Sequence, residues 1–84
     1  MYSSVARALA HHAAERDEPD VAVRYLLRII EIDRYDEDAN LRLVRALSAA
    51  GRHGEAHRHY LNYRHAMDEL GVEPVPFPGV RHPA

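Results

Sequence analysis

Residues 36–71 read DEDANLRLVRALSAAGRHGEAHRHYLNYRHAMDELG and carry the clearest helical pattern in the chain. Asp36 precedes the first apolar positions and belongs to the residue types that cap the free N–H groups of a helix start. Apolar residues then recur at steps of three and four, which is the spacing of one helix face. Gly51 and Gly71 stand where a left-handed residue ends a helix. The stretch predicts two helices, over Glu37–Ala50 and Gly54–Leu70.

The preceding residues predict another pair of helices, over Tyr2–Arg16 and Asp20–Asp33. Pro19 suits a first helical turn because its missing N–H would have no partner there. Asp17 or Glu18 is expected to cap this second helix. Its apolar residues lie on most faces, which is typical of a helix packed by several neighbours. We therefore expect the second helix to form the centre of the domain.

A shift of 34 residues brings the two helix pairs into register. It places Val5 on Ala39, Leu9 on Leu43, Ala13 on Leu47, Ala22 on Ala56, Leu26 on Tyr60 and Ile29 on Tyr63. A period of 34 residues with two helices per unit is that of tetratricopeptide repeats. Asn40 and Val44 depart from that repeat, which has Trp and Gly at these positions. The sequence predicts an all-α fold of two tandem tetratricopeptide-like helix-turn-helix hairpins.

The C-terminal residues have a different composition, with Pro74, Pro76, Pro78 and Pro83 close together. Proline favours extended chain over helix. We therefore divide the chain into a helical domain, residues 1–73, and an extended Pro-rich tail, residues 74–84, that drapes on the surface or is partly disordered.

Bulk composition excludes several classes of protein. The chain has 84 residues, enough for one domain, and its net charge of −2 and pI of about 6.4 argue against a stand-alone nucleic-acid binder. No apolar run approaches the roughly 20 residues that cross a bilayer. The N-terminus lacks the pattern of a signal peptide, so we expect a cytoplasmic protein. The absence of Cys excludes disulfides and thiolate catalysis.

The side chains offer little for metal binding or catalysis. His53 and His57 are four residues apart and share a helix face, but a structural zinc site needs four ligands and a catalytic one needs three. We expect these histidines to be solvated or capping, with no metal and no cofactor. The chain has no Lys, and its aliphatic hydroxyls are three serines. We therefore predict that it is not an enzyme and has no catalytic residues.

A run of short motifs resembles a known regulator family. The motifs are IDRYDEDA over 32–39, LVRAL over 43–47, AGR over 50–52, EA over 55–56, Tyr60, and ELGVEP over 69–74. Together they resemble the bacterial transcriptional activator domain over about Asp20–Pro78. That family is tetratricopeptide-like and occurs in actinobacterial antibiotic-regulatory-protein-type transcription regulators. Arg34 replaces a Pro usual in the family.

The resemblance implies a domain that follows a winged-helix DNA-binding domain and serves in self-association and signal relay. The chain contains no winged helix, so we expect an excised C-terminal piece, with a free-standing relative as the alternative. Its partners would be proteins: a second copy, an upstream winged-helix or ATPase domain, or another regulator. No direct contact with nucleic acid or membrane is expected. The alternative function is a free-standing tetratricopeptide-type adaptor that binds a peptide in its concave groove.

Two surfaces are candidates for partner binding. The first helix of each tetratricopeptide unit lines the concave face, and by that resemblance the groove residues are Arg7, His11, Leu41, Arg45 and Ser48. Other arginines have carboxylates at helical spacing, as in the pairs Asp20–Arg24, Asp38–Arg42 and Arg64–Asp68.

The second surface follows from the number of repeats. About three units are normally needed to bury their apolar faces, and this chain has two. We expect the uncovered faces to pair in a homodimer or against a missing upstream domain, through Val5 and Leu9 or through Tyr60 and Tyr63. In the alternative, the fourth helix and Phe77 fold back and cover the core.

Overall fold

The computed structural model describes residues 2–77, which form four α-helices and no strand. The helices are α1 (Tyr2–Glu15), α2 (Pro19–Ile32), α3 (Glu37–Ala49) and α4 (His53–Leu70). The predicted all-α fold is confirmed, and each helix bound lies within one residue of its predicted position. The part of the predicted tail from residue 78 onward lies outside the described residues.

Each helix packs against the next one along the chain, so that α1 and α2 form one hairpin and α3 and α4 the other. The hairpins meet through α2 and α3, and these two helices therefore share the central place expected for α2 alone. The core consists mainly of small and aliphatic side chains. Its largest fully buried members are Tyr63, Leu26, Ile29, Leu43, Leu47, Met67 and Val44.

The predicted cap of α3 is confirmed, whereas at α2 Glu18 occupies the expected N-cap position without capping the helix through its side chain. A carboxylate oxygen of Asp36 accepts a hydrogen bond from the backbone N–H of Ala39 at 3.0 Å. Asp17 instead adopts a left-handed conformation with φ 58°, and Glu18 makes no side-chain capping bond. The backbone carbonyl of Glu18 accepts hydrogen bonds from the first turn of α2, as expected of an N-cap residue, and Pro19 opens the helix as predicted.

A buried amide holds the turn between the two hairpins. Asn40 is 6% exposed, and its Nδ2 donates to the backbone carbonyls of Asp36 at 2.8 Å and Arg34 at 3.1 Å. A buried polar group is tolerated when it is hydrogen-bonded in this way. The sequence marked Asn40 only as a departure from the repeat; its spacing gave no sign of this structural role.

Ion pairs between elements replace some of the predicted pairs within helices. The pair Asp38–Arg42 is confirmed, with Nε of Arg42 at 2.9 Å from the Asp38 carboxylate. Asp20 pairs with Arg52 of the α3–α4 connection at 3.2 Å, and not with its neighbour one turn away. Within the described residues Arg64 and Asp68 form no ion pair. Tertiary contact therefore overrode helical spacing at Asp20, while the third predicted pair did not form.

Residues 71–77 fold back along α4 and are held there by two tyrosine hydroxyls. The N–H of Val75 donates to the hydroxyl of Tyr63, and its carbonyl accepts from the hydroxyl of Tyr60, both at 2.7 Å. The ring of Phe77 meets that of Tyr60 edge-on, with centroids 5.1 Å apart. The alternative in which Phe77 folds back is therefore what the structure shows at this end of the domain.

This fold-back corrects the expectation for the two tyrosines of α4. Tyr63 is fully buried, and its hydroxyl also donates to the carboxylate of Glu37 on α3 at 2.7 Å. Burial, together with that hydrogen bond, raises the pKa of Tyr63 to about 12. Tyr60 is half-buried against Phe77. Tyr63 is therefore not available for self-association, whereas Tyr60 keeps a partly exposed side chain.

We predict that Tyr63→Phe lowers the free energy of unfolding by about 1–2 kcal/mol, because it removes two hydrogen bonds and leaves their partners unpaired at a buried site. Tyr25→Phe is the matched control, since its half-buried hydroxyl makes no hydrogen bond within the described residues. Urea unfolding of both variants measures the difference. Equal stability of the two variants would show that the hydroxyl of Tyr63 does not hold the C-terminal segment.

Candidate functional site

A groove opens between α1 and α3, with a volume of about 250 Å³. Most of its lining is apolar and comes from small residues of α1, α2 and α3. The lining residues are Ala10, Ala14, Ala22, Leu26, Ala46 and Ala49, with Pro19, Asp17, Arg42 and Arg45 among them. Because alanine side chains reach only a short way from their helices, the space between α1 and α3 stays open.

The side of the groove formed by α3 carries two arginines, of which one is ion-paired and the other is not. The guanidinium of Arg42 donates from Nε to both carboxylate oxygens of Asp38, at 2.9 and 3.0 Å, and lies 3.4 Å from Nδ1 of His11. Arg45 is exposed and has no ion-pair partner among residues 4–77. Asp17 lines the groove from the α1–α2 turn. The groove thus has an uncompensated positive charge on α3 and a negative charge at the turn.

Arg7 has a structural role that the sequence did not suggest. Its guanidinium donates to both carboxylate oxygens of Asp36, at 2.5 and 3.3 Å, and to Asp38 at 2.7 Å. The hydrogen bonds from Arg7 lower the pKa of Asp36, against the opposing effect of its partial burial, and the N–H of Ala39 adds to the lowering. Arg7 therefore ties α1 to the start of α3 and is not free to contact a partner.

The structure separates the other residues predicted for the concave face. Arg45 lines the groove, and His11 reaches its rim beside Arg42 while Nε2 of its ring lies 2.6 Å from Glu15. Leu41 is half-buried against α4 near Tyr63. Ser48 is also half-buried, and neither it nor Leu41 is among the groove-lining residues. Of the five predicted residues, the groove therefore includes one directly and a second at its edge.

Sequence reasoning missed Arg42 and the alanines of the groove. Arg42 was assigned to a pair within its helix, which is correct but incomplete. Ala14 and Ala49 stand at exposed helical positions, where alanine commonly serves only helix propensity. The available signal was the spacing of Arg42, Arg45 and Ala49 at steps of three and four, which puts them on one face of α3.

A second surface lies on the outer side of α1. Val5 and Leu9 are 55% and 40% exposed, whereas Ala39 and Leu43, at the same positions of the second repeat, are fully buried. The difference arises because α3 packs against α2 of the preceding hairpin, while no element among residues 2–77 covers this side of α1. The pair Val5 and Leu9 is called the α1 strip below.

The described residues contain no group of three or more His, Cys, Asp or Glu side chains arranged to hold a metal ion. His57 lies with its ring centroid 6.3 Å from that of Phe77, at the edge of the folded-back segment. No helix within residues 2–77 is long and apolar enough to span a membrane.

Comparison with known proteins gave one match. A family model described as the bacterial transcriptional activator domain matches residues 3–77. The match includes α1, which precedes the quoted motifs, and ends at Phe77. Neither the curated proteins nor the solved structures yielded a match. The matched range therefore contains the groove, the α1 strip and the folded-back segment.

We predict that Arg7→Gln lowers the free energy of unfolding by about 1 kcal/mol at pH 7 because it breaks a two-pronged ion pair. The pKa of Asp36 is lowered in the folded state, so its contribution is present above the unfolded value near 3.8 and is lost as pH falls through the lower folded value. The difference between variant and parent should therefore vanish at strongly acidic pH.

Urea unfolding from pH 7 down to the lowest pH at which the chain stays folded checks this pH dependence. The control is Arg28→Gln, at an exposed residue with no ion pair within the described range, which should show no such trend. A difference that persists unchanged below the pKa of Asp36 would contradict an ionic origin.

Proposed function

The chain belongs to the bacterial transcriptional activator domain family, and on that premise we propose that it is a protein-interaction domain that pairs with a second copy of itself. Membership makes it a domain of transcription regulators. We further propose that it works in the cytoplasm, contacts protein and not DNA, and has no catalytic role.

The α1 strip is the single observation that carries the self-association proposal. Val5 and Leu9 occupy repeat positions that are buried in the second hairpin, so a neighbour packed on this side of α1 would complete the burial that the repeat provides there. Exposed apolar strips at such positions mark contact sites. A two-fold arrangement would set the strip of one copy against the same strip of the other. Fully burying an aliphatic side chain contributes about 1.5–3 kcal/mol.

The charge distribution supports a protein partner over DNA. Five of the eleven arginines are held by carboxylates within the described residues: Arg7, Arg16, Arg34, Arg42 and Arg52. Phosphate binding would require these groups to leave their partners. The net charge of −2 adds a repulsion toward a polyanion. In a regulator, another domain would therefore have to read the DNA.

The groove between α1 and α3 favours a second candidate function, a tetratricopeptide-type adaptor that grips a peptide. The observation in its favour is an open apolar space beside Arg45, whose guanidinium has no ion-pair partner among residues 4–77. The two functions use different surfaces, since neither residue of the α1 strip lines the groove. Both can therefore be tested on the same chain.

We predict that the chain dimerises through the α1 strip and that Leu9→Glu shifts it to monomer, because a charge at this site has no partner and must be desolvated on pairing. Light scattering over a hundredfold dilution measures the mass. Leu61→Glu is the matched control, since Leu61 on α4 is similarly exposed, at 47% against 40%. Two results would reject the α1 strip as the dimer contact: a parent chain that is monomeric at every concentration, or a dimer that both variants weaken equally.

We also predict that the chain alone does not retard duplex DNA in a mobility-shift assay. The carboxylate pairs of five arginines and the negative net charge weaken the attraction of the domain for phosphate. Retardation that disappears steeply between about 50 and 200 mM salt, as expected for contacts with several phosphates, would overturn the proposal that this domain contacts protein only.

A further inference from the structure

We propose that the groove between α1 and α3 binds an acidic peptide segment of a partner protein, with an apolar side chain on the alanines and a carboxylate at Arg45. This inference rests on the proposed protein-interaction role and adds the chemistry of the partner. It uses the groove and is independent of the α1 strip.

The size and lining of the groove fit a peptide side chain. Its volume of about 250 Å³ is below the range of roughly 300–1,000 Å³ typical of small-molecule sites. Ala14, Ala46 and Ala49 present methyl groups to it and offer no directed hydrogen bond of their own. An aliphatic side chain is the group that gains most from transfer into such a space.

The charges around the groove select the sign of the ligand. Asp36 caps α3 and Asp38 lies in its first turn, but their carboxylates are already engaged by Arg7 and Arg42. They therefore compensate little of the charge on Arg45, which remains available to a ligand. A guanidinium group matches a carboxylate with two parallel N–H donors.

The negative charge in the lining sets the orientation of the ligand. Asp17 at the α1–α2 turn disfavours a carboxylate near that turn. An acidic group is then best placed on the α3 side, next to Arg45, with the apolar side chain over the alanines. A basic peptide would be attracted to Asp17 and repelled by Arg45, so it would lose the ion pair on α3.

Alanine-methyl NMR of the full 84-residue chain tests the proposal because the groove is lined by alanines. The probe is the capped peptide Ser-Leu-Glu-Glu-Ser, added to millimolar concentration, with a matched peptide carrying Gln in place of both Glu residues. We expect the methyl signals of Ala14, Ala46 and Ala49 to shift. Those of Ala8 and Ala66, which do not line the groove, should stay in place. The Gln peptide should bind about fivefold more weakly, the loss of one exposed ion pair.

Two variants assign the contacts. Arg45→Gln should lower affinity for the acidic peptide by about fivefold and leave affinity for the Gln peptide unchanged, as a double-mutant cycle requires of a direct pair. Ala14→Leu should abolish binding of both peptides by filling the groove from an exposed position that does not strain the core. Arg28→Gln and Ala8→Leu are the matched controls and should bind as the parent does.

Three results would overturn the inference: no shift of the groove methyls at millimolar peptide, equal binding of the acidic and Gln peptides, or full binding by Arg45→Gln. A dimer that Leu9→Glu disrupts, found together with any of these, would reject the groove ligand and leave the proposed self-association intact. A monomer that binds the acidic peptide as described would support the groove ligand and reject the proposed self-association.

Discussion

Asp36 receives contacts from both hairpins, and the relative position of α1 and α3 depends on it. Its carboxylate accepts from Arg7, which is 29 residues away on α1, and from the first turn of its own helix, while its carbonyl accepts from the buried amide of Asn40. The same residue thus starts α3, closes the turn between the hairpins and anchors α1. Asp36 thus links the two helices, α1 and α3, between which the groove lies.

The apolar faces at the two ends of the domain differ in how far other residues cover them. At the C-terminal end, residues 71–77 pack along α4. The hydroxyl of Tyr60 donates to the carbonyl of Val75, and the hydroxyl of Tyr63 accepts from its N–H. At the other end, the described residues leave Val5 and Leu9 exposed. Our proposal is that this uncovered side of α1 is where two copies of the domain pair.

Local signals in the sequence predicted the helices, the cap at Asp36 and the left-handed glycines at 51 and 71, because each depends on residues within one or two turns. The repeat shift predicted the order of the hairpins. Local patterns could not predict the ion pair of Arg7 or the hydrogen bond between Tyr63 and Glu37. The partners in these contacts lie 26 to 31 positions apart in the sequence. The sequence anticipated the groove and Arg45 in its lining, but not the alanines, because an alanine in a helix gives no pattern that tells an open space from a packed contact.

The most direct test of the account is to locate the contact between two copies in solution. A mixed sample, half uniformly labelled and half unlabelled, gives intermolecular nuclear Overhauser effects only across an interface. The account predicts such effects at the methyl groups of Val5 and Leu9 and none at Leu61 or Leu70 on α4, which are also exposed. Effects confined to α4, or none at millimolar concentration, would contradict the claim that α1 is the open end through which the domain associates.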